Sequence, residues 1–210
     1  MEKYKFIKKN TFYSTTVWEW NLPSGHSCPF AVDCLVKVDR NTGTFNNKSK
    51  LFRCYAASSE RFPSVRKHRW SNYDYVVNGG VPKLPKNCNA IRIHASGDFF
   101  NQQYFDMWVS IAKLNKDVEF WAFTKSINYW VCRINDIPKN LILTASYGGV
   151  HDNLISEYGL KSAKVYSSIG EIPNNLPIDT NDDYARMSNI SFALLDNNKK
   201  HNKRLQTKLF

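Results

Sequence analysis

The chain has 210 residues, a length that suggests one domain and allows a sizeable hydrophobic core. Hydrophobic residues make up 42% of it, which excludes an intrinsically disordered chain. The formal net charge of +11 favours a polyanionic partner, most simply nucleic acid, and the 14% of aromatic residues suits stacking on exposed bases. No apolar run has the length of a membrane span or of a signal-peptide core. We therefore expect a cytoplasmic protein without membrane contact.

The N-terminal part carries a basic arm and then a group of cysteines. Residues 1–22 mix basic and aromatic side chains and predict an edge strand or arm. The following loops hold the cysteines, and the turn signals between Cys34 and Cys54 predict an exposed insertion. The chain is expected to form a single α/β domain of three parts: residues 1–60 (arm and cysteine loops), 61–170 (βα core) and 171–210 (C-terminal extension with a basic tail).

The middle of the chain alternates strand patterns with helix patterns. Helical spacing predicts helices within 58–78, where a proline stands near the start, and within 101–115. Apolar and β-branched runs predict strands over 89–99, 117–126 and 140–149, with weaker strand signals over 163–168 and 190–196. Strands that alternate with helices indicate an α/β fold with a parallel sheet.

Each of the three central strands ends in small polar or charged residues. These ends are Ser96-Gly97-Asp98, Thr124-Lys125-Ser126, and Ser146 followed by Gly148-Gly149. Because the carboxyl ends of parallel strands build active sites, the three ends together predict a site; ordinary turn and cap residues are the alternative. The two-residue strand period places His94 on the same face as Ser96 and Asp98, either as a site residue or as a core histidine.

The spacing of the N-terminal cysteines, C-x5-C-x19-C, leaves three readings open. In the first, Cys28, Cys34 and Cys54 are packing residues. In the second, two of them form a disulfide and the third is a free thiol; in the third, all three bind one metal centre. Zinc usually takes four ligands, often from paired C-x2-C motifs that are absent here; the further candidates are His26, Cys88 and Cys132. Three thiolates fall one short of the usual set for a 4Fe–4S cluster, which would leave one iron open for a substrate or cosubstrate.

A basic segment follows the third cysteine. The run "SVRKHRW" contains Arg66, Lys67, Arg69 and Trp70. These residues predict a nucleic-acid contact in which the cations bind phosphates and the indole stacks on a base. The alternative is a solvated helix face.

Several of these motifs together resemble the phage and prophage family called gene product 88. The segments that carry the resemblance are "LPSGHSCPFAVDC", "FRCYAASSERFPSVRKHRW", "IRIHASGDFFNQQYFDMWVSIAKLN", "VEFWAFTKS" and "LILTASYGG", within roughly residues 20–150. That family is in turn similar to radical-SAM-like proteins, in which a partial (β/α) barrel carries a three-cysteine cluster near its N-terminus. This chain departs from their compact C-x3-C-x2-C loop, since its third cysteine lies beyond an insertion.

The resemblance implies roles for several of the residues singled out above. Cys28, Cys34 and Cys54 would bind a 4Fe–4S cluster. The acidic strand end, with Gly97 and Asp98, and Ser146 on a neighbouring strand would bind S-adenosylmethionine. The catalytic set implied is His94, Ser96, Asp98 and Lys125.

Three hypotheses about function follow from the sequence. The first is an iron–sulfur enzyme of radical-SAM-like type that acts on nucleic acid or nucleotides. The second is a non-enzymatic nucleic-acid-binding module with a structural metal site. The third is a hydrolase or transferase that uses Asp98, His94 and Lys125 without a cluster.

Overall fold

The computed structural model describes residues 4–9, 16–47, 54–187 and 189–196. A seven-stranded sheet has the order β1 (Ile7–Lys9), β2 (Val17–Trp20), β5 (Ala90–Ile93), β6 (Glu119–Thr124), β7 (Leu141–Ser146), β8 (Ser162–Tyr166) and β9 (Phe192–Leu195); β3 (Val36–Val38) and β4 (Phe45–Asn47) pair separately. The helices are α1 (Pro63–Val77), α2 (Gln102–Leu114), α3 (Ile127–Val131), α4 (Asn153–Glu157) and α5 (Asp183–Met187). Short 3-10 turns cover Ala56–Arg61, Ile134–Asp136 and Ile169–Glu171.

The parallel sheet predicted from the alternating pattern is confirmed. β1 pairs antiparallel with β2, and every later neighbour pair in the sheet is parallel. From β2 onward, the strands lie side by side in chain order, without the reversal that divides a doubly wound sheet. The strands predicted in the middle of the chain all form, although each is shorter than its apolar run.

The insertion between Cys34 and Cys54 differs from its prediction. Its described part is the β3–β4 hairpin, in which Val36 and Val38 are buried against Ala57. The turn residues are exposed as expected, but the alternating valines make the hairpin a small packing unit rather than a free loop. Residues 48–53 and the basic tail from 197 onward lie outside the described residues.

The helices begin where the sequence places caps. Asn101 accepts a hydrogen bond from the Tyr104 amide at 2.8 Å and caps α2. Pro63 occupies the first turn of α1, where its missing N–H costs nothing. In the described part of the chain, no helix is both long enough and apolar enough to cross a membrane.

The two faces of the sheet are packed differently. Every second residue of a strand faces the main core. Ile91, Ile93 and Phe120 are examples, and they pack there with apolar residues of α1 to α4. The opposite face contributes Ala90 and Trp121 to a smaller core that includes α5 and β9. Since four helices cover one face, much of the other face is left to line a cavity.

Candidate cysteine centre and cavity

The loop that carries Cys28 is fixed to the end of β5. The Leu22 amide donates to the Ser96 carbonyl at 2.9 Å, and the Ser96 hydroxyl donates to the Leu22 carbonyl at 2.9 Å. The Ser96 amide donates to Asn21 Oδ1 at 2.9 Å. Ser96 is therefore buried and committed to holding this loop, and its predicted catalytic role is not favoured by its contacts.

The loop between Cys28 and Cys34 is fixed to the end of β7. The amides of Val32 and Asp33 both donate to the Gly148 carbonyl at 3.0 Å. Gly148 has φ +93°, and a Cβ there would lie 2.8 Å from Asp33 Oδ2. The glycine after β7 is thus required for the close approach of the cysteine loop.

The third cysteine reaches the same place from a different part of the chain. Tyr55, next to Cys54, donates from its hydroxyl to the Ala95 carbonyl at 2.8 Å, beyond the end of β5. Glu60 accepts from the Ser24 amide and from Arg69 Nη1, both at 2.7 Å. This buried carboxylate links the loop before Cys28 to the turn after Cys54.

The structure places Cys34 and Cys54 close enough to Cys28 to act on it electrostatically. Each is a free, half-buried cysteine. Burial raises the pKa of Cys28 well above the usual value, and the neighbouring Asp98, Cys54 and Cys34 raise it further. Burial also raises the pKa of Cys34 to about 11, against the opposing effect of the Lys125 ammonium. The trio therefore lies within mutual electrostatic range.

The further cysteines and His26 do not join this trio. Cys88 is buried in the main core and donates to the Ala90 carbonyl, and Cys132 is exposed at the end of α3. A ring nitrogen of His26 lies 3.0 Å from the Val38 carbonyl. Within the described ranges, no group of three or more His, Cys, Asp or Glu side chains is arranged so that it could hold a metal ion.

Asp98 is a buried junction between two strand ends. Its carboxylate accepts from the Phe99 amide at 2.7 Å, the Thr124 hydroxyl at 2.6 Å and the Lys125 amide at 2.8 Å. Burial raises the pKa of Asp98 to about 6, although these three donors favour its charged form. The carboxylate lies close enough to Cys28 and Cys34 to raise the pKa of both thiols.

Lys125 also holds strand ends together. Its ammonium donates to the Ser146 carbonyl at 3.1 Å, the Ser146 hydroxyl at 2.8 Å and the Tyr147 carbonyl. Because an ammonium has three donors, this set accounts for all of them. Ser146, predicted to bind a cofactor, is occupied in the same contact.

His94 lies apart from Ser96 and Asp98. β5 ends at Ile93, and His94 and Gly97 have φ of +66° and +93°, so the two-residue period predicted for this stretch is wrong. The imidazole Nε2 lies 2.9 Å from the Tyr104 hydroxyl, and the oxygen of that hydroxyl accepts from the Trp20 indole at 2.8 Å. Burial lowers the pKa of His94 to about 3, so the ring is neutral.

Gly97 makes room for the cysteine loop. A Cβ at this position would lie 2.6 Å from Ser27 Oγ and 2.7 Å from Leu22 Cβ. The predicted approach of a cofactor to Gly97 is therefore replaced, in this structure, by the approach of the loop before Cys28.

Replacing Gly97 with alanine is expected to lower the free energy of unfolding by about 2–3 kcal/mol, since overpacking adds to the strain of a left-handed residue. Gly79→Ala is the matched control, because Gly79 has φ +81° and nothing within 4 Å of a Cβ. Chemical denaturation of both variants measures the difference. Equal losses would mean that backbone strain alone sets the effect and that the packing argument is wrong.

The basic segment on α1 mostly faces inward, which corrects the predicted nucleic-acid contact. Arg66 is buried and donates to the backbone carbonyls of Arg40, Asn41, Glu60 and Arg61. Arg69 is buried against Glu60, and Trp70 is half-buried, with the Arg40 guanidinium 4.7 Å from its ring centroid. Of the four predicted residues, Lys67 alone is exposed.

A cavity of about 610 Å³ opens beside the cysteines and extends over the sheet face opposite α1 to α4. Cys34, Cys54, His94 and Lys125 border it. Among its other polar lining residues, sequence reasoning missed Glu19, Tyr55, Arg92, Asp179, Asp182 and Asp196. For Glu19 and Arg92 a signal existed, since each charge alternates with buried apolar residues along its strand.

These features define an α/β protein whose parallel sheet presents three thiols and a polar cavity at its strand ends. The family model described as "Gene product 88" matches residues 2–209. The chain therefore belongs to the phage gene product 88 family, as the motifs predicted.

Two curated relatives come from mycobacteriophages. The chain is 30% identical to "Gene 88 protein" of Mycobacterium phage L5 over 124 residues, and 30% identical to "Gene 88 protein" of Mycobacterium phage D29 over 127 residues. Each alignment covers 50% of this chain, and 46% or 45% of the relative, so the match spans somewhat less than half of their length. No solved structure matches the chain. The similarity to radical-SAM-like proteins finds no support in these comparisons.

Proposed function

We propose that Cys28, Cys34 and Cys54 bind an iron–sulfur cluster at the mouth of the cavity, and that the protein is a radical-SAM-like enzyme acting on nucleic acid or nucleotides. The observation that carries this proposal is the electrostatic proximity of three half-buried thiols, two from the loop after β2 and one from the segment after β4, beside a cavity at the carboxyl ends of parallel strands. The uninterrupted strand order and the helices on one face support a partial (β/α) barrel.

The donor set fits a cluster better than a single ion. A single zinc ion usually binds four ligands, all directed at one atom. A 4Fe–4S cluster binds each cysteine thiolate through a different iron atom, so its cysteine sulfurs lie further apart. The three thiols act on one another electrostatically, as such a spacing allows. When bound, a cluster with one open iron supplies single electrons to a cosubstrate such as S-adenosylmethionine.

The protein residues around the thiols would position and partly neutralise this centre. Lys125 places a fixed positive charge near Cys34 and lowers the pKa of that thiol, which favours the thiolate needed for binding iron. Backbone amides of Ala56 and Ala57 act on Cys54 in the same direction. The buried Asp98 ties the β5 and β6 ends, so that the loops docked on them keep their places.

The surface supports a nucleic-acid partner. Some described carboxylates are withdrawn from the surface, as Glu60 and Asp98 are, whereas the described cations Arg61, Lys67 and Lys83 are exposed. Near Cys54, Arg61 and Phe62 are both exposed, and the guanidinium lies 4.8 Å from the ring centroid. Exposed cations beside an exposed ring suit phosphate contact and base stacking.

The same basic surface favours a second candidate, a nucleic-acid-binding module without catalysis in which the cysteines hold a structural metal. The third hypothesis, a hydrolase or transferase without a cluster, is less well supported. The donors of Lys125 and the oxygens of Asp98 already form hydrogen bonds within the protein.

Metal content after anaerobic purification tests the proposal. We expect a brown protein with about four irons per chain and broad absorbance near about 400 nm. Cys28→Ala, Cys34→Ala and Cys54→Ala should each lose the colour and keep the circular dichroism of the fold. Cys132→Ala is the matched control, because this exposed thiol lies outside the trio, and it should keep its iron.

Other results would redirect the assignment. A colourless protein with one zinc per chain would favour the binding module. Full iron retention in all three single variants would reject the cysteine trio as its ligands.

A further inference from the structure

The lining of the cavity has a charge balance unlike that of the whole chain. Four carboxylates border it and are buried, with exposed fractions between 3% and 8%: Glu19, Asp179, Asp182 and Asp196. The cations on the wall are Lys9, Arg69, Arg92 and Lys125. Of these, Arg69 is paired with Glu60, Arg92 with Asp182, and Lys125 with the β7 end. The whole chain has a net charge of +11, but the cavity lining has as many acidic as basic side chains. The cavity therefore has no excess of positive charge that would attract phosphate.

His94 supplies a hydrogen-bond donor at this cavity. Its side chain is 4% exposed, and it borders the cavity. The Tyr104 oxygen accepts from the Trp20 indole, so the remaining Tyr104 proton is best placed on His94 Nε2, 2.9 Å away. In a neutral imidazole, the hydrogen then resides on Nδ1, which is buried and has no hydrogen-bond partner among the described residues. The two ring nitrogens form hydrogen bonds in different directions, so the Nδ1 donor points away from Tyr104.

Asp182 supplies an acceptor on the same lining. Its Oδ2 holds Arg92 Nε at 3.1 Å and the Trp121 indole at 3.2 Å. Within the described part of the chain, its Oδ1 accepts no hydrogen bond. Asp182 and His94 are also two non-glycine residues with positive φ, +65° and +66°, and both border the cavity.

We infer that the substrate group entering this cavity is an uncharged nitrogen heterocycle of the nucleobase type, while its phosphates stay outside. This inference rests on the proposed action on nucleic acid or nucleotides. A nucleobase edge offers both an acceptor for His94 and an N–H donor for Asp182, and its flat faces suit the rings of Phe123 and Tyr55 on the lining. A volume of about 610 Å³ is of the size that holds small ligands. If such a base turned out of a nucleic-acid strand and into the cavity, its phosphates would stay outside the cavity, near the protein's surface cations.

Binding measurements on the anaerobically purified full chain test this inference. Adenosine, guanosine, cytidine and thymidine are compared by calorimetry with their 5′-monophosphates and with inorganic pyrophosphate. We expect at least one nucleoside to bind, its monophosphate to bind within about twofold of it, and pyrophosphate not to compete. Failure of every nucleoside to bind, or a monophosphate more than about tenfold tighter than its nucleoside, would overturn the inference.

Two variants locate the bound base. Asp182→Asn keeps the shape of the side chain and tolerates the left-handed backbone, and it should weaken nucleoside binding about tenfold. Asp183→Asn is the control, since its carboxylate is next in the chain and does not border the cavity. His94→Asn should weaken binding similarly. Equal affinity in all three variants would place the base elsewhere, and if both cavity variants fail to fold, the phosphate comparison on the unmodified chain decides.

These outcomes separate the inference from the proposed function. A protein without iron that binds nucleosides in this way would uphold the cavity assignment and reject the cluster. A protein that contains iron but binds no nucleoside would uphold the cluster and reject the cavity assignment.

Discussion

Replacing Glu60 with glutamine is expected to lower the free energy of unfolding by about 3–5 kcal/mol, because it leaves the buried Arg69 guanidinium without its counter-charge. Glu60 is 0% exposed, and its Oε1 accepts from Arg69 Nη1 and from the Ser24 amide. The substitution keeps the volume of the side chain, so the loss measures charge and hydrogen bonding rather than a cavity. Denaturant unfolding followed by circular dichroism gives the value.

The same substitution also tests how the cysteines are held. Glu60 joins the loop before Cys28 to the turn after Cys54, so if the proposed cluster is bound there, the variant should lose iron more readily than its stability alone predicts. Glu157→Gln on the exposed surface of α4 is the control and should change stability by less than about 0.5 kcal/mol. A Glu60 variant as stable as the control would show that the ion pair contributes little and that the two loops are held by other contacts.

The central sheet could be predicted because its signals are local. Apolar runs of strand length, the Asn101 cap and the proline at the start of α1 each depend on residues adjacent in the chain. The strand ends were also correctly placed at one edge of the sheet, since parallel strands put their carboxyl ends together. The shared centre for the three cysteines came from the family resemblance and stays a prediction.

The roles of individual polar residues could not be predicted in the same way. Ser96, Gly97 and Gly148 suggested a cofactor site, yet they contact the cysteine loop, which approaches from more than 60 positions away in the chain. Ser, Gly and Asp serve loop docking and ligand binding equally well, and only the partner decides between them. Arg66 shows the same limit, because its four carbonyl partners lie in two other loops.

Most residues of the cavity lining could not be predicted from the sequence, for a further reason. Asp179 and Asp182 stand in a turn-rich segment that local patterns describe only as loop, and Asp182 pairs with Arg92 from 90 positions away. Their burial against the sheet depends on α5 packing on the face that the other helices leave uncovered. Such long-range pairings carry no periodic signal in the sequence.

Replacing Lys125 with methionine is expected to lower the free energy of unfolding by about 2–3 kcal/mol. Methionine keeps most of the apolar stem, but the Ser146 and Tyr147 carbonyls at the end of β7 lose a charged donor in a buried site. Lys116→Met, at an exposed lysine, is the control and should be nearly neutral. Denaturant unfolding of the two variants gives the comparison.

The Lys125 variant should also make Cys34 less reactive. Burial raises the pKa of this thiol to about 11, and the Lys125 charge opposes that rise. Without the cation the thiolate is less stable, so the pKa rises further, and at any pH below it each added unit leaves about tenfold less thiolate. Alkylation of Cys34 in metal-free protein at pH 9, followed by peptide mass spectrometry, should therefore be slower in the variant than in the Lys116→Met control. Unchanged alkylation would mean that the ammonium ties the strand ends together without acting on the cysteine centre, and the electrostatic part of its proposed role would be withdrawn.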